Sequence, residues 1–272
     1  MKDSKRSKSE DKSAYERAAD SGVDPRCIPV RLSGPPIVGD AIPSPGYSDE
    51  EHETWQLLLR RQRGLLEGRS CDEYIRGVSL MEFPEDRIPA LSELSRTLER
   101  RTGWRVARAP GLLHERDFFS CLAERIFPST DYIRPRYELD YTPAPDLFHD
   151  MFGHMPMITE PSFAAFYQRI GRAALRAQGV DRRRVERFYW FTVEFGLIRT
   201  PKGVRIYGNG ILSSAREITH CLSTATEVRP FDIAEITEQD YDVSNLQPLL
   251  YVIDSFEQLE RTFAEWANNR GL

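Results

Sequence analysis

The sequence predicts a predominantly α-helical chain with a few short β strands (α+β), folded as a single domain. Three observations predict it. Apolar residues recur at helical spacing over long stretches, most clearly at Phe163, Phe166, Tyr167, Ile170, Ala174 and Ala177. Strand-like texture is confined to short runs such as 204–207 (VRIY), with no internal repeat and no strict strand–helix alternation. The 272 residues are also ample for one sizeable core.

The elements follow in order. Residues 1–47 are rich in Lys, Ser, Asp, Gly and Pro and lack periodicity, so they are expected to form a polar N-terminal extension. Within it the first 20 or so residues are read as disordered and the rest as an extended strap on the domain. The texture changes at Ser48, which with Glu51 makes a capping box; the following helix carries Trp55, Leu58, Leu59, Leu65 and Leu66 on one face. A second helix opens at Pro89, a favoured first-turn residue, and stops before Gly103. Helices are expected over 161–178, ended by Gly179, and over 182–198, which is apolar all round towards its C-terminal end and therefore buried. A strand at 204–207 and helices over 213–223 and 256–269 complete the domain, 48–272.

Composition excludes several functions. The 37 basic and 42 acidic residues give a net charge of −5, which provides no electrostatic footing for nucleic acid. No apolar run approaches the roughly 18–20 residues that span a bilayer, and the charged residues 1–14 lack the apolar core of a signal peptide. Cys27, Cys71, Cys121 and Cys221 are far apart and read as reduced thiols rather than disulfides or a zinc site. A cytoplasmic location without membrane or nucleic-acid partners is the expectation.

Two of the five histidines share the block PDLFHDMFGHMP (145–156), where apolar flanks turn both His149 and His154 inward. Forty residues beyond His154, Glu194 is a lone carboxylate within FYWFTVEFGLI (188–198). A buried carboxylate needs a cation or it protonates. Two imidazoles and one carboxylate match the facial triad of non-haem Fe(II) oxygenases, which leaves open positions on the metal. Five residues rotate a straight α-helix by about 140° past alignment, so Gly153 and Pro156 are expected to disturb or end the helix and swing His154 back. Two rivals remain at this level. A His₂Glu zinc hydrolase would use the same ligands, although the spacing is not the His-Glu-x-x-His of the zincins. A structural metal site would need a fourth ligand such as His220 or Cys221.

These blocks, with RQRGLLEGRSCDEY (61–74), PGLLHERDFFSCLAERIFP (110–128), RIYGNGILSS (205–214) and YVIDSFEQL (251–259), resemble the tetrahydropterin-dependent aromatic amino acid hydroxylases, most nearly the short bacterial phenylalanine hydroxylases. The resemblance runs from about residue 48 to 256 and keeps the 5- and 40-residue gaps between the three ligands. It implies that the metal ligands and catalytic centre are His149, His154 and Glu194, holding Fe(II). It implies a tetrahydropterin (tetrahydrobiopterin or a related pterin) stacked on Phe118, bound at its edge near Gly111 and Leu113, and oriented through water by Asp150. It further implies an amino-acid substrate held at its carboxylate by Arg134, with Asp146 steadying that arginine and Thr142 on the same wall. Trp190, Phe195, Gly210, Ser213 and Ser214 match the lining around the substrate ring and the first histidine. As plain sequence, Trp190 and Phe118 are core residues and the serines a helix N-cap.

The implied reaction is O₂-dependent hydroxylation of the aromatic ring of a free amino acid, first L-phenylalanine to L-tyrosine, with 3-hydroxylation of phenylalanine or hydroxylation of tryptophan as alternatives. Three positions depart from the family. Ala144 stands where vertebrate and many bacterial members carry Glu, Pro128 where mammalian phenylalanine hydroxylase carries His, and Asn209 where Ala is usual. Asn209 is expected beside the substrate ring. Residues 260–272 lack coiled-coil heptads, so a monomer is expected.

Overall fold

The computed structural model describes residues 25–140, 142, 144–243 and 245–272. The disorder expected over the first 20 or so residues falls on 1–24, outside the described residues. Residues 25–47 run extended along the domain with two short 3₁₀ turns. Val30 bridges to Leu113 and Val38 to Ala107, Cys27 and Ile42 are buried, and the Arg26 fork meets Glu138 at 2.6 and 2.9 Å.

Helix α1 (Asp49–Leu66) starts at the Ser48 capping box: the Ser48 N–H donates to Glu51 Oε2 at 2.7 Å, and Glu51 N–H returns to Ser48 Oγ at 3.4 Å. Trp55, Leu58, Leu59 and Leu66 are buried and Leu65 half-buried. Helix α2 (Asp72–Met81) follows, then α3 (Leu91–Thr102), which begins two residues after Pro89 and ends at left-handed Gly103. A β–α–β unit comes next: β1 (Arg105–Ala109), α4 (Glu115–Ala123) and β2 (Ile126–Thr130), with β1 parallel to β2. A wide helical turn at His149–His154 leads into α5 (Met155–Ile158), then α6 (Pro161–Arg176) and α7 (Gly179–Tyr189).

The helix expected over 182–198 is corrected here. Regular α-helix ends at Tyr189, a wide turn takes Trp190–Glu194, and Leu197 and Ile198 already belong to β3 (Leu197–Thr200). An apolar run alone does not distinguish a buried helix from a buried strand. Strand β3 forms a hairpin with β4 (Gly203–Ile206), and the sheet order is β4–β3–β6–β5, with β5 (Glu227–Pro230) and β6 (Leu249–Ile253) parallel to each other. Helices α8 (Asn209–Leu212), α9 (Ala215–Cys221), α10 (Ile233–Ile236) and α11 (Phe256–Asn268) fill the remainder. The core is predominantly helical, as expected, with six short strands among the described residues. The four cysteines are free and buried, and no helix among the described residues is long and apolar enough to cross a membrane.

One contact positions the site. Gly77 of α2 lies so close to the turn after His154 that a Cβ there would stand 2.1 Å from the Pro156 carbonyl oxygen. The same helix sends the Tyr74 hydroxyl to the Phe152 carbonyl at 2.7 Å.

Candidate metal centre and cavity

The two ligand-bearing segments share an unusual backbone. Over His149–His154 and Trp190–Glu194 the chain is π-helical: the Met155 N–H bonds to the Asp150 carbonyl, and the Phe195 N–H to the Trp190 carbonyl at 2.9 Å. An i→i+5 ladder brings residues five apart onto one face, which an α-helix does not. The helix is therefore disturbed at His154, by widening rather than by ending. Pro156 has no N–H to give the Phe152 carbonyl, and Tyr74 supplies that bond instead. Gly153 serves packing, since a Cβ would lie 2.9 Å from the Asn209 carbonyl oxygen. The second π turn places Tyr189 and Glu194, also five apart, on one face, and both line the cavity.

The geometry of the triad fits a metal. His154 Nε2 lies 2.9 Å from His149 Nε2 and 3.2 Å from Glu194 Oε1, and His149 Nε2 lies 3.7 Å from Glu194 Oε2. Bonds of ~2.1 Å at right angles place neighbouring donors ~3 Å apart. The three residues are the group of metal-capable side chains found among the described residues, and neither His220 nor Cys221 joins them. Those two instead bond to the Gln247 carbonyl (3.1 Å) and the Ile218 carbonyl (3.5 Å). Burial, reinforced by the neighbouring His154, lowers His149 to about 4, so its nitrogens are neutral at physiological pH. Burial alone would raise Glu194, but the neighbouring His154 and His149 imidazoles outweigh it and hold the carboxyl at about 2. His149 Nδ1 meets Ser213 Oγ at 2.8 Å, and that hydroxyl donates to the Asn209 carbonyl at 3.0 Å. This fixes the tautomer that leaves Nε2 free for a metal.

A cavity opens from the triad. Leu113, Phe118, Arg134, Thr142, Asp150, Trp190, Phe195, Gly210, Ser213 and Ser214 line it together with the three ligands. Gly111, Asp146 and Asn209 do not. Asp146 stands behind Arg134: its Oδ2 accepts from Arg134 Nε at 2.9 Å and its Oδ1 from Nη2 at 2.7 Å, with side chains 2% and 0% exposed. Burial works against the Asp146 charge, yet the Arg134 guanidinium keeps its pKa lowered. Asn209 is fully buried on the far side of His154, so its place beside the substrate ring is corrected; α8 turns the side chain away from the cavity. Asp150 Oδ2 accepts from Thr130 N–H at 2.7 Å and its hydroxyl at 2.9 Å, while burial pushes its pKa up to about 7. Ser214 caps α9, accepting from the Glu217 N–H at 3.3 Å.

The family described as biopterin-dependent aromatic amino acid hydroxylase matches residues 37–270. The chain belongs to this family. Among its relatives, the phenylalanine-4-hydroxylase of Chromobacterium violaceum is 44% identical over 215 residues, covering 78% of this chain and 72% of that protein. The Pseudomonas aeruginosa phenylalanine-4-hydroxylase is 43% identical over 213 residues, 78% of this chain and 81% of the relative. A crystal structure of the C. violaceum enzyme with bound iron(III) and 7,8-dihydrobiopterin superposes with a TM-score of 0.80 at 40% identity, covering 85% of this chain and 88% of that one.

In this hydroxylase the cavity wall also holds residues that the sequence did not single out, four of them near Trp190 and Glu194. Tyr241 stacks on Trp190 at 4.4 Å, Gln247 accepts the Trp190 indole N–H at 3.0 Å, Tyr189 faces Glu194, and Glu217 is buried in the wall. None has a periodic or spacing signal. Glu217 Oε1 accepts from the Gln247 N–H at 3.2 Å, whereas Oε2 is buried without a protein partner. Burial pushes the Glu217 carboxyl up to about 7. A folded-state pKa above the unfolded one favours the neutral acid, so this contribution is present below the unfolded pKa and lost as pH rises through about 7. Glu217→Gln is therefore expected to gain about 1–3 kcal/mol relative to the parent between pH 5 and pH 8, read as diverging melting temperatures. Parallel melting curves across that range would contradict the assignment.

Proposed function

We propose that the chain is a phenylalanine 4-hydroxylase: an Fe(II)-, O₂- and tetrahydropterin-dependent monooxygenase that converts L-phenylalanine to L-tyrosine. The observation that carries this reading is the convergence of His149, His154 and Glu194 at the floor of a cavity that also exposes Phe118, Arg134 and Trp190. Iron and a reduced pterin, when bound, supply the electrons and the activation of O₂, with one oxygen atom passing to the ring. The protein's share is placement. His149 Nε2, His154 Nε2 and a Glu194 oxygen would hold the metal, and the cavity beside them gives room for O₂ and substrate.

Phe118 offers an aromatic face for the pterin, with Gly111 and Leu113 on the loop that passes its edge. Gly111 acts through backbone, consistent with its side of the loop lying off the cavity wall. Asp150, fixed by Thr130, presents a carboxyl towards the same space. Arg134 keeps Nη1 outside its pair with Asp146, a donor suited to the substrate carboxylate, with Thr142 alongside. Trp190, Phe195 and Gly210 wall the ring; a Cβ at Gly210 would sit 3.0 Å from Phe195 Cζ, which keeps this wall flat. Ser213 and Ser214 line the space between ring and His149. The apolar surround excludes water from the reacting centre.

We take the enzyme as a cytoplasmic monomer. Support comes from α11, whose apolar residues Phe256, Leu259, Phe263 and Trp266 are buried within the same chain, and from the four free cysteines. The test of the substrate is competition. Phenylalanine, tyrosine and tryptophan are offered together with Fe(II), O₂ and tetrahydropterin, and products are separated by retention time and mass. para-Tyrosine as the main product is the expected result; meta-tyrosine or a hydroxytryptophan in its place would overturn the assignment while keeping the reaction class.

A further inference from the structure

The triad accounts for Nε2 of His154 but leaves its other ring nitrogen unexplained. Two side chains reach Nδ1: the Tyr167 hydroxyl at 2.7 Å and Asn209 Nδ2 at 2.9 Å. Tyr167 and Asn209 are fully buried, and neither borders the cavity, so neither can touch a substrate there. Counting protons shows what they do. With its Nε2 lone pair directed to the triad centre, a neutral His154 carries its hydrogen on Nδ1. The Tyr167 hydroxyl also meets the Tyr189 hydroxyl, 2.8 Å away, which can take its proton. With that proton directed to Tyr189, the Tyr167 oxygen is free to accept from His154 Nδ1–H. The chain His154→Tyr167→Tyr189 then runs one way.

Asn209 breaks the pattern as oriented. Its Nδ2, a donor, faces a nitrogen that carries hydrogen, while its Oδ1 is buried with no partner. The two ends of an amide are nearly isosteric, and a half-turn brings Oδ1 to Nδ1–H. We infer that Tyr167 and Asn209 are positioning residues that jointly accept the Nδ1–H of His154, fixing the tautomer and rotation that present Nε2 to the metal. His149 has a single such acceptor, Ser213. This inference rests on the reading of the triad as a metal site.

The test is anaerobic titration of apo-protein with Co(II), followed by its visible d–d bands, on the parent chain, Tyr167→Phe, Asn209→Ala, Asn209→Asp and the Tyr167→Phe/Asn209→Ala pair. Thermal melts of each apo-protein separate folding from ligation. Asn209→Ala and Tyr167→Phe are each expected to weaken Co(II) at least about 10-fold and the pair about 100-fold, with altered d–d bands. Asn209→Asp, which can only accept at this position, is expected to bind as the parent does. Affinities and bands unchanged in Asn209→Ala and Tyr167→Phe would overturn the inference alone, and so would a loss in Asn209→Asp equal to that in Asn209→Ala. A parent chain that takes up no Co(II) overturns the metal reading and this inference with it.

Discussion

Glu194→Ala and His149→Ala are each expected to bind little iron and to lose tyrosine formation by at least about 100-fold. The size of the effect follows from the geometry. The three donor atoms lie within 4.8 Å of one another, so each removal leaves two ligands where the metal needs three on one face. Glu194 is also the only carboxylate among them, and it is held ionised, at about 2, against the pull of burial. Glu194→Gln keeps its shape and removes its charge, and should behave almost as badly as Glu194→Ala. The measurements are iron per chain after reconstitution and product per minute. A variant that retained both iron and turnover would mean that the cavity works without this triad.

Asp146→Ala is the substitution with the largest expected cost to stability. It leaves the Arg134 guanidinium, 2% exposed, without its counter-charge, and it removes the acceptor for the Arg134 and His149 backbone N–H groups at 2.8 and 3.0 Å. Breaking a buried pair from one side typically costs 3–5 kcal/mol, equivalent to a fall in melting temperature of roughly 10 °C for a chain of this size. Arg134→Lys separates folding from binding. A lysine restores the charge but not the planar fork, so the fold should survive while KM for the amino acid rises at least about 10-fold. A melting temperature within two or three degrees of the parent for Asp146→Ala would show that the pair is not the anchor its burial implies.

The residues differ in how far they could be read from sequence, for physical reasons. His149, His154 and Glu194 were legible because each is a polar group in an apolar setting, which demands an explanation by itself. The backbone that aligns them was legible only as a disturbance expected at Gly153 and Pro156, not as a π turn. Helical periodicity assumes 3.6 residues per turn, and a π turn violates that assumption at the site. Tyr167 fits the apolar face of α6 so well that its hydroxyl, bound to His154, left no trace in the pattern. The burial of Arg134 was equally hidden, because nothing in the polar run 134–141 announces that the chain folds it onto Asp146. The helices over 49–66, 91–102 and 256–268 stood out through caps and amphipathic spacing. The strands are four or five residues long, too short for alternation to register. Tyr241 and Gln247 lie between α10 and β6 in a stretch without periodicity, and only the fold brings them to Trp190.

The central claim is that this cavity transfers an oxygen atom from O₂ to an aromatic amino acid, and isotopic labelling tests it most directly. Iron-loaded protein is supplied with tetrahydropterin, L-phenylalanine and ¹⁸O₂ in ordinary water, and the products are weighed by mass spectrometry. The structure predicts para-tyrosine carrying one ¹⁸O atom, dependent on both iron and pterin and absent from the Glu194→Ala variant. Tyrosine whose new oxygen comes from water, or no hydroxylated product from a chain that binds zinc in preference to iron, would contradict it.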